Sequence, residues 1–214
     1  MDSDYPVDYI LHGRSKAHGL SDDVIIPENI KLLIIPDAGT NDTNQCKALS
    51  KYGMDILILD HHEKEEENPY AVISNKNLCG AGVVYRFLQA LDEENWNEFA
   101  DDYLDLCALA NISDVMDMRS FETRYLTDIG LLNIQNKCFK ALIDAQNYSM
   151  GGKINIHNVQ WYITPILNGM IRIGLPEEKE LLFRAFIEQD EFFEYKKRAT
   201  KDKPAEVIQE NIYD

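Results

Sequence analysis

Two short apolar runs, Ile30–Ile35 and Asp55–Leu59, each end in residues that suit a metal ion better than a core. The first leads into Pro36-Asp37-Ala38-Gly39 and the second directly into Asp60-His61-His62. Between them, Thr40 or Asn41 is expected to cap a helix that runs to about Tyr52 and stops at Gly53. Strand, helix and strand in this order form a βαβ unit, with parallel neighbours and a right-handed crossover. Runs this uniformly apolar belong to strands covered on both faces. The predicted fold class is therefore α/β, a parallel β-sheet flanked by helices.

In open α/β sheets, ligands gather at the carboxyl ends of the strands. Consecutive strands at a spacing of about 5 Å would bring Asp37 and the two histidines to one place. Carboxylate with imidazole suits Mn²⁺, Fe²⁺ or Zn²⁺ better than Ca²⁺. A pair of ions held this way makes hydroxide at neutral pH and clamps a phosphate in line. A lone acid after a strand is ordinarily a turn residue or a cap. The coincidence of an Asp-His-His and a second acid at neighbouring strand tips moves the reading to a metal site.

The remainder of the chain reads as follows. Val7–Leu11 looks like a short strand and Tyr70–Ile73 like another. Cys79-Gly80-Ala81-Gly82 leads into a helix whose Val83, Val84, Phe87, Leu88 and Leu91 recur at helical spacing. Tyr103–Ile112 reads as an apolar helix, and Glu122–Gln146 as one or two amphipathic ones. Ser149-Met150-Gly151-Gly152 is the linker candidate, dividing residues 1–148 from a helical connector and tail over 149–214. Helical stretches are expected around Val159–Ile173 and after Pro176, then a basic cluster at Lys196–Lys201 and a polar tail.

Apolar residues make up 45% of the 214, enough to bury a core. A formal charge of −16 excludes a chain whose whole surface coats nucleic acid, but not a local groove or carboxylates neutralised by metal. The four cysteines, Cys46, Cys79, Cys107 and Cys138, lack CxxC spacing and read as reduced thiols of a cytoplasmic protein. No apolar run approaches the roughly 18 residues of a membrane span.

The ordered set Pro36-Asp37-Ala38-Gly39, Asp60-His61-His62, Cys79-Gly80-Ala81-Gly82-Val83-Val84 and Ala110-Asn111-Ile112-Ser113-Asp114-Val115 resembles the DHH phosphoesterases. Within them it is most similar to the RecJ-type single-strand-specific DNA exonucleases. Glu122-Thr123-Arg124 resembles the Glu-Asn-Arg that follows the last acidic motif of that family. Pro165 to Gly174 resembles the Pro-Arg-(Ile/Leu)-Asn-Ala-(Ala/Ser)-Gly-Arg segment of its connector, and His12 to Leu20 the region near its second strand. The resemblance implies a 5′-to-3′ exonuclease on single-stranded DNA with two Mn²⁺ or Mg²⁺ ions. By the same resemblance Asp37 would bridge the metals, His61 and Asp114 would complete one site, His62 would face the scissile phosphate, and Asp60 would orient the pair. Gly80 and Gly82 would admit backbone and helix N–H groups to phosphate, with simple helix entry as the other reading. Arg14 and Arg172 are further candidates for contact with phosphate or strand.

The family's opening Asp-x-Asp-Gly motif has no counterpart ahead of Val7. Asp2 and Asp4 are not taken as that motif, because no strand precedes them and no Asp-Gly follows. The expectation is a DHH domain without its first β–α unit, an incomplete two-metal site, and a protein partner or a second copy completing the sheet. The nucleic-acid-gripping domain that follows in RecJ-type enzymes is not expected in the residues after Gly174. Two other functions stay open: a non-catalytic DHH-fold scaffold, and a phosphoesterase for small nucleotides.

Overall fold

The computed structural model describes residues 6–11, 19–20, 25–27, 29–65, 67–197, 204 and 206–213. Three parallel strands, β1 (Leu32–Pro36), β2 (Asp55–Asp60) and β3 (Ala71–Ser74), lie in the order β1-β2-β3. Leu32 pairs with Asp55 and Pro36 with Leu59, while Asp60 pairs with Ser74. β2 is thus the middle strand. Its alternate residues feed opposite faces. Ile56 and Ile58 join Ile35, Ala38 and Cys46 in one cluster, while Leu57 and Leu59 pack with Leu78, Val83 and Cys107 in another. That is why the run reads as apolar throughout. Leu32 and Ile34 of β1 remain about half exposed.

The crossover is α1 (Thr43–Ser50), and Gly53, with φ of 77°, turns the chain back into β2. The helix starts later than expected. Asp42 holds the cap position because Thr40 and Asn41 are bonded instead to Asp60 and to the loop after β2. Val7–Leu11 forms no strand. It lies against a later helix, with Tyr9 in ring contact with Phe183 at 4.5 Å and its hydroxyl on Glu180. A short apolar pattern makes a strand only where a partner completes the ladder, and the helix offers none.

The α-helical part opens with α2 (Gly80–Asn95), a 3₁₀ turn (Ala100–Tyr103), α3 (Leu104–Ser113), α4 (Phe121–Leu132) and α5 (Lys137–Gln146). Glu122–Gln146 is therefore two helices. Asp105, buried on α3, accepts the backbone N–H groups of Gln135 and Asn136 at 2.8 Å each and fixes the corner between them. Ser120 and Asn136 cap the two helices. α6 (Ile156–Asn158) continues through a π-helical turn (Val159–Ile163) into α7 (Thr164–Ile173), and α8 (Pro176–Phe186) follows. Leu109, Ile112, Phe139, Ile143, Met150, Val159, Ile163 and Leu167 form one buried cluster across α3, α5 and α7. The residues after Gly152 therefore share a core with those before Ser149.

The polar tail is not irregular. β4 (Phe192–Lys197) and β5 (Glu206–Asn211) pair antiparallel, Phe192 opposite Asn211 and Lys197 opposite Glu206. Its charged residues hide the period-2 signal that would announce a ribbon. Among the described residues no helix is long and apolar enough to cross a membrane.

Candidate metal centre

The strand tips place the site. β1 ends at Pro36, and Asp37 takes a left-handed backbone with φ of 60°, while its N–H donates to the Leu59 carbonyl at 2.8 Å. Positive φ is uncommon outside glycine and costs free energy that the surroundings must supply. The carboxylate of Asp37 lies over the start of α2. A Cβ on Gly80 would stand 2.3 to 2.5 Å from the Asp37 side chain, so only glycine leaves room for it.

Asp114 arrives from the far end of α3, where it follows the last helical residue, Ser113. Val115 beyond it is left-handed with φ of 53°, a strained state for a β-branched residue. His61 Nε2 lies 3.2 Å from Asp37 Oδ1 and 3.5 Å from Asp114 Oδ2. Two carboxylates therefore converge on one imidazole. The His61 side chain is 15% exposed and the acids about half, so the cluster stands open on one side.

Asp60 behaves differently from its neighbours. It is 1% exposed, and both its oxygens are occupied. Oδ2 accepts from the N–H and hydroxyl of Thr40 at 3.1 and 2.6 Å. Oδ1 accepts from the backbone N–H groups of His61 and His62 and faces His62 Nδ1 at 2.7 Å. Burial alone would raise this carboxyl. The Thr40, His62 and backbone hydrogen bonds outweigh it and hold the group down to about 2. Burial alone would likewise lower His62, and the bond to Asp60 with the charges of Asp60, Asp37 and Asp114 moves it up instead. The donor atoms of Asp37, Asp60, His61 and His62 lie within 4.8 Å of one another. The lone pairs of Asp60 are engaged by these Thr40, His61 and His62 groups, whereas Asp37, His61 and Asp114 could turn donor atoms to an ion. Carboxylate and imidazole at this separation fit a divalent cation.

A cleft of about 610 Å³ opens beside the cluster, between α2, α3 and α7. Asp37, Gly80, Ser113, Asp114 and Asn168 form its polar wall, and residues such as Val84 and Leu106 its apolar one. Gly82 is absent from that lining. A Cβ there would meet Leu78 Cβ at 2.9 Å, so this glycine serves close packing. Arg172 is exposed on α7 and is not among the lining residues, while Asn168 and Ile171 are. Arg14 lies outside the described residues.

Three supporting residues were not among the candidate site residues. Thr40 anchors Asp60. Asn68 donates to the Gly39 and Thr40 carbonyls at 3.3 and 3.2 Å and holds the Asp37 loop from behind. Asn111, fully buried, accepts from the Cys79 N–H at 3.5 Å and donates to Thr127, tying α3 to the entry of α2. For Asn111 a general signal did exist: an amide inside an apolar helix must find partners.

A parallel sheet with a carboxylate–histidine cluster at its strand tips defines an α/β protein built around a divalent-cation site. The chain belongs to the DHH family, whose description as "DHH family, N-terminal domain" matches residues 3–111. It is 41% identical over 197 residues to the "Putative SPbeta prophage-derived single-strand DNA-specific exonuclease YorK" of Bacillus subtilis (strain 168), across 87% of this chain and 34% of that one. It is 26% identical over 203 residues to the single-stranded-DNA-specific exonuclease RecJ of the same strain, across 87% and 25%. The crystal structure of RecJ in complex with Mn²⁺ from Thermus thermophilus superposes with a TM-score of 0.66 at 26% identity, across 75% of this chain and 25% of that one. A second crystal structure, of exonuclease RecJ bound to manganese, gives 0.63 at 26% identity, across 72% and 42%. The chain thus spans about a third or less of the length of these curated relatives.

Proposed function

We propose that this chain carries the metal-binding half of a phosphodiesterase that degrades single-stranded DNA from the 5′ end. The observation that carries the reading is the convergence of Asp37 and Asp114 on His61 Nε2 at 3.2 and 3.5 Å. The relatives named single-strand DNA-specific exonucleases, and the manganese bound to the solved ones, support it.

Asp37, His61 and Asp114 would hold Mn²⁺ or Mg²⁺. A bound divalent ion supplies hydroxide at neutral pH and neutralises charge on a phosphate. The remaining steps belong to the chain. Asp60 fixes the His62 ring through Nδ1, so any proton that His62 gives or takes moves through Nε2. The hydrogen bond to Asp60 and the charges of Asp60, Asp37 and Asp114 favour the protonated ring, which suits His62 to proton transfer at a phosphate. Gly80 and Ala81, at the mouth of α2, would present backbone N–H groups to a phosphate oxygen. Asn168 would orient a nucleotide from the opposite wall. Residues 1–148 form the catalytic unit in this reading and 149–214 the connector. A cytoplasmic setting is proposed from the four buried free thiols.

The test is release of nucleotides from a 5′-labelled single strand in Mn²⁺, with a duplex of the same sequence as control. His61→Ala should abolish release and lower Mn²⁺ affinity measured by calorimetry. Unchanged activity in that variant would remove the assignment of His61. Failure of the unmodified chain to bind Mn²⁺ at micromolar concentration would favour a non-catalytic scaffold.

A further inference from the structure

The helix that forms the far wall of the cleft carries a second feature. Trp161 is 64% exposed although it lies inside a well-packed helical run. Its neighbours Val159 and Ile163 are fully buried in the core beneath. The His157 ring lies beside it, centroids 6.0 Å apart and planes tilted by 40°. An indole presented to water from a π-helical turn needs a reason, since burying it elsewhere would stabilise the fold and such turns recur at functional sites.

Its position supplies one. Thr164, three residues on, places Oγ1 3.2 Å from Ser113 Oγ, next to Asp114. Asn168, on the same helix, lines the cleft with Asp37 and Asp114. From Trp161 to Asn168 the helix rises about 10 Å, close to the height of about three stacked bases. Charge points the same way. The chain carries 37 acids, yet residues 145–176 contain none, while Lys153, His157 and Arg172 fall within them. A polyanion can lie along this helix without meeting a carboxylate of the segment. The other tryptophan, Trp96, is 95% exposed but follows Asp92, Glu93 and Glu94 and precedes Glu98.

We propose that Trp161, flanked by His157, is a stacking platform for the bases of single-stranded DNA as the strand approaches the metal centre. This rests on the proposed function and adds a binding residue to it. Stacking on an exposed indole is tolerant of sequence, as a site that takes any single strand requires. Lys153 and Arg172 of the acid-free segment supply cations for the backbone.

With two tryptophans in the chain, each can be read alone. The Trp96→Phe variant, titrated with a short thymidylate strand in EDTA, should show saturable quenching of Trp161 emission. Trp161→Phe, which reports Trp96, should show none while keeping most of the affinity. Trp161→Ala should bind the labelled strand about fivefold to a hundredfold more weakly by anisotropy, with an unchanged thermal midpoint. If the strand binds the unmodified protein but Trp161 emission is unmoved and Trp161→Ala binds equally well, the platform is wrong and the exonuclease reading stands. Equal quenching by a duplex would also overturn it, by reducing the contact to general charge attraction. If the unmodified protein neither binds nor cleaves the strand, both readings fall.

Discussion

Asp37 and Gly80 act as a unit, because the carboxylate occupies the space a side chain at position 80 would need. Gly80→Ala should therefore push Asp37 off His61 and weaken Mn²⁺ binding by about tenfold, an effect of roughly 1.4 kcal/mol. Calorimetric titration checks this, and an affinity equal to that of the unmodified protein would dissolve the coupling. Asp60→Asn should cost about 1–3 kcal/mol of stability, since an amide N–H₂ would face donors that now meet an oxygen. Urea unfolding measures that loss. At this scale much of the site is legible in the linear chain. The pattern of strand tips brings Asp37 and His61 together, the family resemblance adds Asp114, and the three do meet. Thr40 reads as a helix cap and is instead the anchor of Asp60, because a hydroxyl and an N–H from one residue satisfy a buried oxygen better than a solvent-facing helix end. Nothing local distinguishes those two uses of a threonine.

Between elements, α3 and α4 approach each other closely at Gly130. A Cβ there would lie 2.4 Å from the Leu104 carbonyl oxygen, a backbone atom that cannot step aside. Gly130→Ala should destabilise the fold by about 1–3 kcal/mol through forced separation of the helices, against the small gain an alanine would otherwise bring to a helix. A raised thermal midpoint would refute that geometry. The elements themselves are visible where an apolar run or a helical period is strong: the three strands, α2, α3 and the long α6–α7 run lie close to where the pattern puts them. The failures have a common cause. Val7–Leu11 has the residues of a strand but no ladder, and β4–β5 has a ladder but a charged sequence. Pairing is a property of two segments, so neither segment announces it alone.

For the molecule as a whole, burial of the thiols makes stability fall in alkali. Burial pushes Cys79 up to about 11 and Cys107 and Cys138 up to about 12. In the unfolded chain a thiol loses its proton near 8.5. The folded state thus binds these protons more tightly, so the contribution is complete below about pH 8.5 and is lost as pH rises towards 11 and 12. The urea midpoint should drop between about pH 7 and about pH 10, and by less in Cys107→Ala than in the unmodified chain once their midpoints at the lower pH are matched. A midpoint constant over that range would contradict the burial. The linear chain by itself determined the βαβ unit and the family, because apolar runs covered on both faces and ligand residues at their ends are written in short, contiguous segments. Only the tertiary structure decided that the Asp37 carboxylate needs Gly80, that Asp105 sets the corner between α4 and α5, and that Thr164 brings the acid-free helix against Ser113. Those are contacts between segments distant in sequence, and their geometry follows from how helices pack on a sheet rather than from any local pattern.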